Sequence, residues 1–166
     1  MLLVKLLVGL VLLVGLAVGA TYVYGNTLEP KPHFERSTVI EGDAEDIHKQ
    51  VGDLKQWDVW GPWRAEDPDM TYTYTDTTTE VGSKMSWEMK QGSGSVEFTK
   101  VDPEKGVEYI FTWENWTPTK GGVKYERQDD GKVKVTWYFD ADYSDDPFSR
   151  VFISMGRSDM ESMFDK

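Results

Sequence analysis

A length of 166 residues is sufficient for one domain and an additional terminal segment, and a hydrophobic share of 39% allows that domain to bury a core. The net charge of −11 argues against nucleic acid as a partner, because phosphate binding requires clustered Lys and Arg. The absence of Cys excludes disulfides, thiolate nucleophiles and Cys-ligated metals, and the aromatic share of 13% favours a β-rich interior or a lined cavity.

The N-terminal segment is strongly apolar. Residues 6–24 carry no charge, and at a rise of ~1.5 Å per residue they span about the hydrocarbon thickness of a bilayer. Tyr22 and Tyr24 lie at the far end, where interfacial aromatic residues occur. The sequence therefore predicts a transmembrane anchor at residues 1–25. Lys5 then places the N-terminus in the cytoplasm and the domain outside the cytoplasmic membrane, in the periplasm or extracellular space.

A signal sequence is the alternative for this segment, since the small residues Ala17, Gly19 and Ala20 could form a cleavage site. The apolar run is longer than the usual ~7–15-residue hydrophobic region of a signal peptide, which favours the anchor. Residues 26–32 are polar and contain two prolines, so they are expected to form an extended spacer. The remaining residues, 33–166, are expected to form one exported domain.

The first part of this domain combines a strand with helices. Residues 33–41 alternate in polarity and predict a strand. Asp43 can cap a following helix, whose apolar positions recur at helical spacing: Ala44, Ile47, Val51 and Leu54. Residues 55–63 (KQWDVWGPW) predict a second short helix or turn.

From residue 72 onward the apolar period becomes two. Large side chains alternate with Thr, Ser, Lys and Glu, as expected of antiparallel strands with one dry and one wet face. Turn residues separate the strands, for example at 92–94 and 129–131. Residues 146–147 (Asp-Pro) predict the start of a final helix with an apolar stripe. The predicted order is a strand, two helices, about six strands and a helix.

Several short motifs occur in this order: WGPW at 60–63, DPDM at 67–70, VGSKMSW at 81–87, GSGS at 92–95 and KVTW at 134–137. Together they resemble the START-like (SRPBCC) superfamily, in particular its polyketide cyclase/dehydrase-like branch with an N-terminal membrane segment. The resemblance covers roughly residues 34–166.

This resemblance implies an α+β helix-grip fold. In that fold a curved antiparallel sheet of about six to seven strands wraps around a C-terminal helix, and an apolar cavity lies between them. The family's last helix continues beyond the position of Lys166. The final helix of this chain is therefore expected to be either truncated or short, with a more open cavity.

Few residues are candidates for catalysis or metal binding. His33 and His48 are expected to be surface or boundary residues, and two histidines without Cys argue against zinc. Glu66, Asp67 and Asp69 lack the glycine and distal Glu of a calcium loop, so they are expected to be solvated loop acids. No nucleophile elbow or phosphate-binding glycine loop is present. The sequence therefore predicts no catalytic residue, no metal and no cofactor.

The remaining candidates are large side chains on the inward face. So many rings on one concave sheet are difficult to pack at native density without a gap. Buried Tyr OH and Trp NH groups also need partners, which a ligand or water can supply. Arg127 shares this face by parity, and is expected either to orient a ligand carboxylate or to reach solvent. The predicted cavity lining is Trp60, Trp63, Tyr72, Tyr74, Met85, Trp87, Met89, Phe98, Tyr109, Phe111, Trp113, Tyr125, Arg127, Trp137, Phe139, Phe152 and Met155.

Three functions follow as hypotheses. The leading one is a membrane-tethered binding module for a hydrophobic or lipid-like small molecule in the cavity between sheet and C-terminal helix. The second is a polyketide cyclase/dehydrase-like enzyme acting in the same cavity, and the third is a non-catalytic interaction domain with a filled core. We favour a non-enzymatic function. The predicted partners are the apolar ligand and, through residues 6–24, the membrane.

Overall fold

The computed structural model describes residues 2–61, 63, 67–114 and 116–156. Glu66 and the rest of the predicted final helix, residues 157–166, lie outside the described residues. The described chain divides into two units. Residues 2–32 and 142–156 form the helical unit, and His33–Ala141 forms the sheet unit.

The helical unit contains α1 (Leu2–Gly25), a helix of 24 residues whose large apolar side chains are exposed. The predicted N-terminal apolar helix is thus present. Its length and composition are sufficient to cross a membrane, and a signal sequence near an N-terminus meets the same criteria.

In its described residues, the sheet unit contains a seven-stranded antiparallel sheet and two short helices. The first strand along the chain pairs with the last, which brings together residues that are far apart in sequence. The helices are α2 (Ala44–Val51) and α3 (Trp57–Trp60). The strands are β1 (His33–Ile40), β2 (Thr71–Tyr74), β3 (Lys84–Met89), β4 (Gly92–Asp102), β5 (Gly106–Trp113), β6 (Thr119–Arg127) and β7 (Val133–Asp140), in the spatial order β1-β7-β6-β5-β4-β3-β2.

The C-terminal helix of the helical unit, α4 (Pro147–Met155), begins where the Asp-Pro pair predicts. The Asp146 carboxylate accepts hydrogen bonds from the backbone N–H groups of Phe148 (3.1 Å) and Ser149 (3.0 Å). Pro147 occupies the first helical position, where its missing N–H costs nothing. The predicted elements, an N-terminal apolar helix, an antiparallel sheet and a C-terminal helix, are therefore confirmed.

The core of the sheet unit lies between the two short helices and one face of the sheet. Ala44, Ile47 and Val51 recur on one side of α2 and are buried, as their helical spacing predicts. On the sheet side, a change of register between Phe98 and Lys100 marks a β-bulge in the β4–β5 pair. A bulge bends and twists the strand that carries it, which favours a curved sheet.

Asp67 departs from the expectation of a solvated loop acid. It is only 2% exposed. Its carboxylate accepts hydrogen bonds from the backbone N–H groups of Lys90 (2.8 Å) and Asp69 (3.2 Å). The expectation was wrong because these donors replace water and tie the loop before β2 to the turn between β3 and β4. Asp69 is exposed, as expected, and accepts a hydrogen bond from Lys90 Nζ at 2.9 Å.

This arrangement predicts a pH-dependent contribution of Asp67 to stability. The hydrogen bond from the Lys90 backbone is the main cause that lowers the pKa of Asp67 below its ordinary value. Ionised Asp67 therefore stabilises the fold above the ordinary Asp pKa of ~3.9, and this stabilisation is lost as the pH falls through the folded-state pKa. The free energy of unfolding lost in Asp67→Asn should be constant above about pH 5 and shrink below about pH 4.

Urea unfolding at several pH values, followed by circular dichroism, measures this difference. Asp69→Asn is the matched control, since its carboxylate is exposed. A loss in Asp67→Asn that is the same at every pH would contradict the prediction.

Candidate functional site

The indole of Trp57 is the centre of an aromatic cluster on the inward face of the sheet unit. It is 1% exposed. Its ring centroid lies 5.9 Å from that of Phe98, 5.3 Å from Tyr109 and 6.5 Å from Trp137, each in an edge-on arrangement. Such edge-on pairs are the favoured geometry of packed aromatic rings. This part of the inward face is therefore a packed core.

The polar groups of this cluster have protein partners. Trp57 Nε1 donates to the carbonyl oxygen of Val51 (2.8 Å), and Trp60 Nε1 donates to that of Gln50 (3.1 Å). Trp137 Nε1 donates to the Tyr109 hydroxyl at 2.6 Å. Burial raises the pKa of Tyr109, so its hydroxyl is neutral at physiological pH. These groups need no ligand to satisfy them.

The predicted cavity-lining residues divide into several groups. Arg127 is exposed and lies 3.6 Å from the Asp43 carboxylate. Phe152 and Met155 are exposed on α4, in the helical unit. The buried members are Met85, Trp87, Phe98, Tyr109 and Tyr125. The members that are partly buried against the core are Trp60, Trp63, Tyr72, Tyr74, Met89, Phe111, Trp113, Trp137 and Phe139.

A groove of about 770 Å³ opens in the sheet unit between α2 and the β1–β7 pair. Trp60 and Trp137 are the predicted lining residues that it contains. Sequence reasoning missed its other walls, although the helical spacing of Ile47 and Val51 had placed them against the sheet. The apolar walls are Ile40, Ile47, Val51, Trp60, Val123, Val135 and Trp137, and the polar residues are Arg36, Ser37, Thr38, Glu41, Asp43, Asp46 and Gln50.

The position of α2 explains why the groove exists. Among the described residues, α2 packs against β5 and β6. The β7–β1 end of the same sheet face extends beyond it, where Thr38 pairs with Val135 and Arg36 with Trp137. The groove therefore has an apolar floor on one side and charged residues at its edge.

A second cavity of about 550 Å³ is lined mainly by polar and charged residues, which include Glu45, His48, Glu104 and the predicted lining residue Arg127. His48 Nδ1 lies 3.4 Å from the hydroxyl of Tyr125. Burial lowers the pKa of His48 and raises that of Tyr125, so both groups are neutral at physiological pH. This pair can exchange a hydrogen bond, and among the described residues the cavity lining contains one hydroxyl side chain, Thr79.

His33 lies at the start of β1, exposed between two carboxylates. Its Nδ1 is 2.6 Å from Asp140 and its Nε2 is 3.2 Å from Glu35. The hydrogen bond with Asp140 is the main cause that raises the pKa of His33. Within the described ranges, no group of three or more His, Asp or Glu side chains is arranged to hold a metal ion.

No protein-family model matches this chain, and no curated protein sequence does. Its fold is similar to that of protein Ms6760 from Mycobacterium smegmatis (TM-score 0.54, 17% identity, 79% of this chain and 84% of that one). It is also similar to the Aha1 dimer from Colwellia psychrerythraea (TM-score 0.54, 15% identity, 80% of this chain and 90% of that one). A third similar structure is major latex-like protein 151 from Panax ginseng (TM-score 0.51, 15% identity, 81% of this chain and 97% of that one). These likenesses show the predicted helix-grip fold.

Proposed function

We propose that this protein is a membrane-tethered module that binds a hydrophobic or lipid-like small molecule, without catalysis. The groove between α2 and the β1–β7 pair carries the proposal. Its volume of about 770 Å³ falls within the ~300–1,000 Å³ that is usual for small-molecule sites. Such sites combine apolar walls with a few polar groups that orient the ligand, and this groove has both.

The proposed binding mode places an apolar body against the floor of the groove. Val135 and Trp137 form this floor on β7, and Ile47 faces them from α2. The Trp60 indole is held as a wall by its hydrogen bond to the Gln50 carbonyl. The polar end of the molecule would lie at the edge, near Arg36 and Asp43, where water can still reach it.

The membrane tether in this proposal is α1. Its apolar side chains are exposed, and burial in lipid would remove that surface from water. The position of Lys5 at the N-terminal end favours a cytoplasmic N-terminus, with the sheet unit on the outer side of the cytoplasmic membrane. A ligand that is itself lipid-like could then reach the groove from the adjacent bilayer.

The short motifs support a finer placement in the polyketide cyclase/dehydrase-like branch. An enzyme of that kind would act in the same groove, where Glu41, Asp43 and Asp46 are the acidic groups. A non-catalytic interaction domain is the other alternative, and the packed rings around Trp57 favour it for the centre of the sheet. Turnover of the bound molecule would favour the enzyme, and absence of binding would favour the interaction domain.

Titration with a dansyl-labelled fatty acid tests the proposal. The full chain in zwitterionic nanodiscs should show saturable energy transfer from Trp to the dansyl group, above that of empty nanodiscs. Val135→Trp fills the groove and should weaken the affinity at least ~10-fold, which corresponds to about 1.4 kcal/mol. Val39→Trp is the matched control, because it adds the same donor to an exposed position of β1 outside the groove.

If Val135→Trp binds the dansyl fatty acid with the same affinity as the wild-type protein, the groove is not the binding site. No saturable transfer in the wild-type protein would overturn the binding function itself.

A further inference from the structure

The two helices of the helical unit meet at the carboxyl end of α1. Phe148 in the first turn of α4 packs against Tyr22, with ring centroids 6.2 Å apart. Gly25 is buried, and a Cβ atom at this position would overlap Pro147. The start of α4 is therefore held directly against the last turn of α1.

Arg150 strengthens this junction from the inner side of α4. It is only 9% exposed, and its Nε donates to the carbonyl oxygen of Tyr143 at 2.8 Å. Its Nη1 lies 3.4 Å from the carbonyl oxygen of Gly25, the last residue of α1, and Nη2 donates to that of Ser144. A cation at this position satisfies a terminal helix carbonyl and interacts favourably with the negative end of the helix dipole.

The opposite side of α4 presents an exposed apolar stripe. Phe148, Phe152 and Met155 are spaced i, i+4 and i+7, so they lie on one face of the helix. Phe152 is 67% exposed and Met155 is 78% exposed. Large apolar side chains that are contiguous and exposed indicate a surface that another apolar phase covers.

The length of α1 indicates that the apolar phase covering this stripe is the lipid bilayer. Tyr22 lies 16 residues beyond Leu6, the first residue of the uncharged run, which at ~1.5 Å per residue places it about 24 Å along the helix. The hydrocarbon core of a bilayer is ~30 Å thick, so a span that begins at Leu6 places Tyr22 close to the far boundary of the core. If α1 spans the membrane, Tyr22 and the Phe148 ring packed on it fall at the membrane–water interface, the depth at which aromatic residues concentrate.

We propose that α4 is an interfacial helix, which lies on the outer leaflet beside α1 and inserts Phe148, Phe152 and Met155 between the lipids. This inference rests on the proposed membrane anchor. The apolar stripe of α4 is continuous with α1 through the Tyr22–Phe148 contact. The bilayer that surrounds α1 would therefore also cover this stripe. Because the chain has a net charge of −11, the insertion would depend on apolar area and would not require anionic lipid.

The segments on either side of this junction are also held together. The Lys31 ammonium lies 2.8 Å from the Asp142 carboxylate, and the backbone N–H of Tyr143 donates to the Pro30 carbonyl oxygen at 2.8 Å. Residues 30–31 and 142–143 of the helical unit are therefore held next to each other, and an inserted α4 would keep them near the membrane surface.

Single spin labels can test this, because the chain has no native Cys. Phe152→Cys and Met155→Cys report on the apolar stripe. Ser154→Cys is the matched control, since it is exposed on the same helix but lies ~200° around the axis from Phe152. Leu13→Cys reports on the middle of α1. Each full-length variant is labelled in phosphatidylcholine nanodiscs, and the collision rates of the label with oxygen and with a water-soluble nickel chelate are compared.

We expect the labels at Phe152 and Met155 to collide more often with oxygen than with the nickel chelate, and the label at Ser154 to show the reverse. Nickel accessibility at Phe152 and Met155 equal to that at Ser154 would overturn the proposal. Low accessibility to both reagents would also overturn it, because it would mean that protein covers the stripe. If the label at Leu13 does not collide preferentially with oxygen, α1 does not span the membrane and the proposed anchor is wrong. Loss of dansyl fatty-acid binding, in contrast, tests only the groove.

Discussion

Replacing Trp57 by alanine is expected to lower the free energy of unfolding by about 3–5 kcal/mol. This side chain is 1% exposed and packs edge-on against Phe98, Tyr109 and Trp137. Truncation loses the transfer free energy of the indole and leaves a void that those rings cannot close without breaking their own contacts. It also leaves the Val51 carbonyl without its indole donor. Since domains of this size are stable by only ~5–15 kcal/mol, the loss is a large share of the total.

Urea unfolding of the full chain in a mild detergent, followed by far-ultraviolet circular dichroism, measures this loss. Val59→Ala is the matched control, because Val59 lies on the same short helix and is 76% exposed, and its effect should stay within about 0.5 kcal/mol. The loss of unfolding free energy in Trp57→Phe should lie between the losses in Trp57→Ala and Val59→Ala, because phenylalanine keeps a ring but loses the hydrogen bond to Val51. Equal midpoints for Trp57→Ala and Val59→Ala would show that the ring cluster does not hold the sheet unit together.

The elements that local chemistry determines could be predicted from the sequence. Helical spacing placed Ile47 and Val51 on the buried side of α2, and the Asp-Pro pair marked the first residue of α4. The alternation in residues 133–140 predicted a strand with one face inward. Each of these signals lies within a few residues, so no knowledge of the tertiary structure is needed to interpret it.

Other features depend on residues far apart in sequence. The partner of Asp67 is a backbone N–H at Lys90, 23 positions later, and no local pattern indicates that this carboxylate is buried. Trp57 belongs to a helix of four residues, for which the sequence predicted only a helix or a turn. Its central position follows from how α3 packs onto the sheet, and spacing within so short a helix contains no such information.

The groove, too, could be predicted from the sequence only in part. Alternation assigns Tyr109, Val135 and Trp137 to one face of the sheet, but it does not give the depth at which each lies. Depth depends on how the helices pack on the sheet. Trp57 of α3 packs against Tyr109, which is buried, whereas Val135 and Trp137 line the groove beside α2. The side of a strand is thus predictable from the sequence, whereas the difference between a core wall and a cavity wall is not.

The Tyr109 ring also makes Gly121 a position where alanine should be destabilising. The two residues face each other across the β5–β6 pair, and a Cβ atom on Gly121 would lie 2.6–2.8 Å from atoms of the Tyr109 side chain. The ring cannot move aside easily, because it is 1% exposed and its hydroxyl accepts the hydrogen bond from Trp137. We therefore expect Gly121→Ala to lower the free energy of unfolding by about 1–3 kcal/mol, the usual cost of overpacking a core.

The sign of this effect is the decisive measurement. Gly121 does not adopt a positive φ, so its backbone suits alanine, and without the ring Gly→Ala would stabilise the protein by ~0.4–1 kcal/mol through the unfolded chain. Urea midpoints should be compared for Gly121→Ala in the wild-type protein and in Tyr109→Leu, where the smaller side chain removes the clash. The cost of Gly121→Ala should shrink in the second background, because residues in contact are energetically coupled. A stabilising or neutral Gly121→Ala in the wild-type protein would show that Tyr109 is free to shift, and that this part of the sheet has room that the packed rings would not allow.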